Sequence, residues 1–449
     1  MRPVCLLIRR PGVFIRRVTE RRNLLTLAIE TSCDDTSVAV LEKRQNNSAT
    51  LHYHSKITSD NRSWEGVHPI LSHVSHQKNL AKLVNDAVSS LPILPLGSEQ
   101  STNCVAISNG IHTQCRQKPD FITVTRGPGM RASLITGIDT AKGLSVAWQI
   151  PILGVNHMQA HALTPRLISA LEADINSRET QKLKPEFPFL SLLVSGGHTM
   201  LVQSKGLFDH KILATTTDLA LGVVVDKCAR NILPTNILES ASNVMYGGVL
   251  ERFAYPEANL GYDYTPPRTR KEELTMKDTG YGWTIRPPLS QAPEGFRGSE
   301  FSYSGIGSTV KRIMEGKPNM DVEERRALAH EVMRVSFEHL ASRVLLALEN
   351  PDIKGVKALV VSGGVASNQF LRHLLRAILD ARGHPDLELM FPPPALCTDN
   401  AAMIAWTGIE LWEAGWRSKL DMVALKKWSI DPHAEDGGIL GVDGWNKVA

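Results

Sequence analysis

No stretch of this 449-residue chain approaches the roughly 18 consecutive apolar residues of a membrane-spanning helix. Membrane insertion is therefore not expected. Aromatic residues make up only 6%, and neither glycine (33) nor proline (25) is abundant enough for a collagen-like or disordered chain. The six cysteines, at 5, 33, 104, 115, 228 and 397, include no CxxC pair. Their scatter argues against a disulfide framework and against a cysteine-based zinc site. Charge of either sign is nearly balanced, with 50 Lys and Arg against 46 Asp and Glu, a formal net charge of +4. That only mildly favours an anionic partner.

The basic excess is not evenly spread. Residues 1–22 hold seven Arg, no Lys and a single acid, Glu20, with Val4, Leu6, Leu7, Val13, Phe14, Ile15 and Val18 interleaved. An Arg-rich, acid-poor, potentially amphipathic leader is the signature of a mitochondrial transit peptide, set here at 1–23, although Pro11 and the lack of Ser make it imperfect. A disordered basic tail is the alternative. Without its seven Arg and one Glu the chain carries 43 basic and 45 acidic residues, a formal charge of −2. Any polyanion must then meet a local patch, for which Arg268, Arg270, Lys271, Arg325 and Arg326 are candidates.

Beyond the leader, buried-strand runs alternate with helical patterns and short turns, which means α/β. The run LLTLAIE (24–30) reads as a strand, and helices are expected over 76–89, 133–148 with Ser133 as N-cap, and 323–349. The last is read as strongly amphipathic. A polar stretch, 97–118, looks like a loop insertion, and 255–299 like a long excursion. LLVSGGHT (192–199) and LVVSGGVA (359–366) share a strand followed by Ser-Gly-Gly. Either both are ordinary tight turns, or backbone amides approach a phosphate there.

Two further clusters could carry chemistry. His157 and His161 in NHMQAHAL stand at i, i+4, which puts both imidazoles on one helical face and suits two ligands of one metal. A zinc protease would need Glu beside the first His, and Met158 stands there instead. Asp399 in the CTDN turn is one candidate for a third ligand. Glu30, Asp34 and Asp35 gather three carboxylates between two strands, either for catalysis or as a plain acidic turn.

The segments IETSCDDT (29–36), TRGPGM (125–130), NHMQAH (156–161), LLVSGGHT (192–199), DK (226–227), FSYSGIGS (301–308), SGGVASN (362–368) and CTDNAAMIA (397–405) occur in one order. The ordered set resembles the TsaD-type tRNA threonylcarbamoyladenosine biosynthesis family, once labelled glycoproteases, over about residues 24–430. With its leader the chain looks like a mitochondrial member. The resemblance implies an actin-like, sugar-kinase-like ATPase fold of two α/β lobes with a cleft between them. Residues 24–155, completed by about 398–435, would form the first lobe and 156–397 the second. It implies transfer of threonylcarbamoyl from threonylcarbamoyl-AMP to N6 of adenosine 37 in tRNAs reading ANN codons. His157, His161 and Asp399 would bind one divalent metal per subunit, zinc or iron. Val194, Ser195, Gly196, Gly197 and His198 would cradle the phosphate and threonylcarbamoyl end. Asp226 would hold the ribose, Gly248 and Asn368 the nucleoside, and Asp34 and Asp35 match an acidic pair implicated in turnover. A separate synthase would supply the adenylate to a homodimer in the mitochondrial matrix.

The chain departs from the bacterial pattern in places. Val223 replaces an acid three positions before Asp226, Ser304–Ser308 lacks a lysine, and about nine extra residues precede Gly247-Gly248. A non-catalytic nucleotide-binding scaffold, favoured by Val223, and a metalloprotease are the alternative readings.

Overall fold

The computed structural model describes residues 23–61, 64, 66–94, 103–108, 113–241, 245–257, 261–291, 298 and 300–448. Residues 1–22, which hold all of the leader's arginines, lie outside them. Strand β1 (Leu24–Glu30) turns Leu25, Leu27 and Ile29 to one face and Ala28 to the other, so both faces of its sheet are covered. It pairs antiparallel with β2 (Asp35–Lys43), which pairs antiparallel with β3 (Ala49–Thr58). Helix α1 (Pro69–Ser89) starts seven residues before the expected His76, because Pro69 suits a first helical turn and the His68 ring accepts the Leu71 N–H. The polar insertion contains a hairpin, β4 (Cys104–Ser108) and β5 (Thr113–Gln117), cross-linked by a Cys104–Cys115 disulfide. One cross-link therefore exists where the cysteine spacing suggested none. Cysteines eleven residues apart were joined by a hairpin that their spacing did not reveal.

Strand β6 (Phe121–Gly127) returns parallel to β1, and after α2 (Arg131–Trp148) strand β7 (Ile152–Asn156) runs parallel to β6. Ser133 is not the cap of α2. Met130 occupies that place without a side-chain bond, and buried Ser133 instead offers its carbonyl to the Thr31 hydroxyl at 2.9 Å. Helix α3 (His157–Glu172) then leads to the second half.

There the same order recurs. Strands β8 (Phe189–Val194), β9 (Thr199–Ser204) and β10 (His210–Thr216) form an antiparallel meander. Helices α4 (Leu221–Ile232), α5 (Thr235–Glu239), α6 (Gly247–Ala254) and α7 (Arg270–Glu273) precede a short strand β11 (Glu300–Phe301). Helices α8 (Ser304–Gly316) and α9 (Val322–Leu348) lead to β12 (Ala358–Ser362), which lies parallel to β8. Helix α10 (Gln369–Ala381) brings in β13 (Glu388–Met390), parallel to β12. The chain then returns through α11 (Pro394–Cys397) and α12 (Ala401–Glu413) to add β14 (Trp416–Ser418) and β15 (Trp445–Lys447) to the first sheet.

The two sheets read β15-β14-β7-β6-β1-β2-β3 and β11-β10-β9-β8-β12-β13. Each holds a meander followed by two parallel strands, and this duplicated α/β topology is the actin-like, sugar-kinase-like arrangement. Helices α3 and α12 form the layer between the sheets, with Leu163, Leu167, Trp406 and Ile409 packed against Phe121 and Val155 of the first and Phe189 and Val360 of the second. Each such side chain contributes about 1.5–3 kcal/mol on full burial. At Gly408 a Cβ would lie 2.1 Å from Thr123 Cγ2, so only glycine lets α12 seat on β6.

Helix α9 is buried on every face between Leu328 and Leu345, which corrects the amphipathic reading. The excursion covers its outer side. Tyr264 Oη donates to Glu338 at 3.0 Å and Arg270 reaches Ser342, while Arg334 pairs with Glu331 and Glu338. Polar residues at helical spacing looked like a solvated face because sequence period cannot distinguish water from a charged partner.

Candidate metal centre and anion loops

Asn156 ends β7 and caps α3, its side chain accepting the Met158 and Gln159 N–H groups at 3.0 and 3.1 Å. That cap makes His157 the first helical residue and stacks His161 one turn later, with ring centroids 4.7 Å apart. Asp399 arrives from the α11–α12 loop, where Asn400 caps α12 through the Met403 N–H. Its Oδ1 lies 3.0 Å from His161 Nε2 and 3.4 Å from His157 Nε2. Ligand atoms of these three residues all fall within 4.8 Å of one another, in an otherwise buried setting.

Glu30 lies behind His157, its Oε2 3.2 Å from His157 Nδ1 and also accepting the Thr125 hydroxyl, while Oε1 takes the Ser32 N–H. A carboxylate on Nδ1 fixes the ring orientation and leaves Nε2 facing Asp399. Burial lowers the His157 imidazolium, yet the charges of Asp399 and Glu30 outweigh it and hold it up at about 10. Burial raises Asp399, but His157 more than compensates and keeps it well below the carboxylate range. Buried Glu30 and part-buried Asp399 thus demand positive charge between two imidazoles. A divalent ion with a nitrogen-rich donor set answers that demand, and the residues present fit one.

The Ser195–His198 turn closes β8. Ser195 N–H donates to His198 O at 2.8 Å, and Ser195 Oγ accepts the Gly197 and His198 N–H groups at 3.2 and 3.0 Å. Gly196 and Gly197 are exposed, with nothing within 4 Å of an added Cβ. Val194, by contrast, is fully buried. Burial pushes His198 down to about 4, with His157 adding to the effect, so its imidazole is neutral.

The Ser362-Gly363-Gly364 turn lies directly against this one, at the end of the neighbouring parallel strand. Crevices at the carboxyl ends of parallel strands are where such sheets bind ligands. Gly363 has φ +98°, and a Cβ there would sit 2.3 Å from Val194 O. Gly222 closes the other side, where a Cβ would meet Ser195 O at 2.7 Å. Ser362 Oγ also donates to His161 O at 3.3 Å, so turns and metal cluster form one unit. Gly363→Ala is expected to lower stability by about 2–5 kcal/mol through left-handed strain and overpacking. Gly364→Ala, 3.8 Å from Thr398 Cγ2, should be close to neutral. Denaturant midpoints of the two variants check this, and equal midpoints would defeat it.

Asp226 on α4 accepts the Gly247 N–H at 2.9 Å, so despite the extra residues the chain returns Gly247 and Gly248 beside it. Burial raises its carboxyl to about 6. Asn368 caps α10, accepting the Leu371 N–H at 2.9 Å, and its amide nitrogen lies 3.8 Å from Met333 Sδ. That side chain is largely committed to its own fold.

The acidic pair divides. Asp35 is tied to Lys56 Nζ at 3.0 Å and to Thr58 Oγ1 at 2.5 Å, and burial raises it to about 6 despite Lys56. Asp34 has a looser contact, Asn61 Nδ2 at 3.5 Å, and is raised by burial and then by the charge of Asp399. Lys56 also donates to Thr398 Oγ1 at 2.6 Å, beside a metal-cluster residue. Sequence reasoning missed Lys56, the role of Glu30, and Asp218. Asp218 accepts from Ser302 Oγ at 2.7 Å, Tyr303 N at 3.0 Å and Ser304 Oγ at 2.7 Å. Burial opposes its charge, yet the bonds led by Ser304 bring it to about 2 and tie FSYSG to the start of α4. No spacing rule marks a lone Asp 84 residues from its partner.

A family model described as TsaD, tRNA N6-adenosine threonylcarbamoyltransferase, matches residues 112–406. A mitochondrial tRNA N6-adenosine threonylcarbamoyltransferase of Schizosaccharomyces pombe is 37% identical over 436 residues, 94% of this chain and 89% of that protein. A tRNA N6-adenosine threonylcarbamoyltransferase of Neorickettsia sennetsu is 30% identical, over 88% of this chain and 95% of that protein. Among solved structures, component A of the Acidaminococcus fermentans (R)-2-hydroxyglutaryl-CoA dehydratase matches with TM-score 0.39 and 14% identity, over 86% of this chain and 98% of that one.

Proposed function

The chain belongs to the TsaD family of tRNA N6-adenosine threonylcarbamoyltransferases, and on that premise we propose that it modifies adenosine 37 of mitochondrial tRNAs reading ANN codons, in the mitochondrial matrix. The donor is threonylcarbamoyl-AMP from a separate synthase, residues 1–23 are the import leader, and the working unit is a homodimer. Residues 24–155 with about 398–435 make one lobe and 156–397 the other. The enzyme is a transferase, and tRNA is its substrate. No helix among the described residues is long and apolar enough to cross a membrane.

One observation carries this reading. His157, His161 and Asp399, brought together from distant parts of the sequence, converge beside a turn with two open glycines. His157, His161 and Asp399 would hold zinc or iron, which supplies Lewis-acid polarisation of the transferred carbonyl. Glu30 orients His157 through Nδ1. Val194 to His198 receive the phosphate and threonylcarbamoyl end, with the open Gly196 and Gly197 allowing close approach. Neutral His198 presents a ring without adding charge. Asp226 accepts the ribose hydroxyls, and Gly248 and Asn368 border the nucleoside. Asp34 takes the proton from the adenine amine as the new N–C bond forms and the carbonyl C–O bond to phosphate breaks, AMP leaving on the Ser195–His198 turn, and Asp35, held by Lys56 and Thr58, supports that acidic wall.

Nucleoside mass analysis of mitochondrial tRNA from cells lacking this chain tests the function. Threonylcarbamoyladenosine should vanish there, and an unchanged level would remove the reading. The raised Asp226 carboxyl sets a pH dependence. It accepts ribose hydroxyls best when ionised, so adenylate affinity should hold above pH 6 and weaken below it, by up to about tenfold per pH unit. Titration calorimetry from pH 5 to 8 reads this, with Asp226→Asn giving weaker binding and a flat profile.

A further inference from the structure

The tRNA must bring a polyanionic backbone to an interior that already holds Glu30, Asp34, Asp35 and Asp399. Three of the five cations put forward from sequence are already engaged with other groups. Arg270 is bound to Glu273 and Ser342, and Arg325 donates to Met320 O and Ile232 O. Arg326 pairs with Glu323 and stands over the Phe253 ring.

A different set of cations stands on segments tied to the supports of the metal centre. The C-terminal segment crosses the TRGPGM loop, with Leu425 N–H donating to Arg126 O at 2.9 Å and Gly129 N–H to Lys426 O at 3.3 Å. Gly129 packs on Ser32, where an added Cβ would lie 2.6 Å from Ser32 O, and Ser32 Oγ is 3.2 Å from His157 Nδ1. Buried Trp428 gives its carbonyl to the Asn156 amide at 3.2 Å, the same Asn156 that caps the histidine helix. Arg126 Nε holds the segment from below through Val423 O at 3.0 Å. Between these anchors Lys426 and Lys427 are exposed, and so is Arg131, which follows Met130 at the start of α2. None of the three makes an ion pair or side-chain hydrogen bond among the described residues. Rigid backbone and unspent charge, a residue or two from the cluster's supports, make a phosphate-binding edge.

We propose that Lys426, Lys427 and Arg131 bind backbone phosphates of the tRNA anticodon arm and hold it over the metal centre. This rests on the transferase reading above. Phosphate contacts set register without reading bases, so they suit an enzyme that accepts several tRNAs. A fixed local patch also explains how a chain of charge −2 beyond its leader can bind RNA.

The test measures binding of unmodified tRNA to the full metal-loaded chain by anisotropy between about 50 and 200 mM salt, the range over which phosphate contacts show. K426A/K427A should bind at least about tenfold more weakly at the low-salt end, and the slope of log K against log salt should fall by about 2. Adding R131A should lower it by about one more, while K426R/K427R should keep the wild-type slope. Metal content, adenylate affinity and melting temperature should stay at wild-type values. R268A/K271A on the excursion is expected to bind tRNA normally. Wild-type affinity and slope in K426A/K427A would overturn this proposal alone, whereas a wild-type chain that binds no tRNA would remove the transferase reading as well.

Discussion

Asp399→Asn protein is expected to carry little divalent metal and to lose threonylcarbamoyl transfer by at least about 10³-fold, in the range of lost preorganised electrostatic stabilisation. Asn keeps the shape of the side chain and its place ahead of the Asn400 cap, so the fold should persist. What goes is the charge that both imidazoles face, at 3.0 and 3.4 Å. Metal per subunit by elemental analysis separates this from a general defect. Glu30→Gln provides the graded comparison, because it leaves the three ligands and weakens only the orientation of His157. About 10–100-fold lower metal affinity is expected there. A metal-replete, fully active Asp399→Asn enzyme would refute the assignment of the centre.

The second large effect falls on Asp34. Asp34→Asn should slow transfer by about 10²–10⁴-fold, the usual worth of a positioned general base. Adenylate and metal binding should stay near wild type, since the contact with Asn61 is loose at 3.5 Å and the bond with the neighbouring Cys33 thiol can be kept by an amide oxygen. Asp35→Asn ought to behave differently. It removes the charge that holds Lys56 and puts an amide in place of the second oxygen, and therefore costs stability together with activity. Single-turnover transfer at saturating adenylate distinguishes the two, and an Asp34→Asn rate equal to wild type would end the base assignment.

Local features were legible wherever a residue's job depends on near neighbours. The strand at 24–30, the i, i+4 histidines and the Ser-Gly-Gly turns are written in short-range pattern, and the structure contains each. What stayed hidden depends on partners far along the chain. Asp218 finds Ser304 86 residues away, and Lys56 finds Thr398 342 residues away. The all-round burial of α9 needs the excursion that covers it, and the Cys104–Cys115 bond needs its hairpin. Capping was misread at Ser133, because Met130 takes the cap position three residues earlier.

The first sheet is sewn from both ends of the polypeptide: β1 begins at Leu24, while β14 and β15 close at Lys447. A chain made from its N-terminus therefore waits with its earliest strands half covered. Asp399, Lys426 and Trp428 all follow β13 in the chain. The His157, His161 and Asp399 cluster therefore cannot close until Asp399, 238 residues after His161, has been made. Deleting β14 and β15 should leave β7 as an uncovered edge of the first sheet and lower the solubility of the protein.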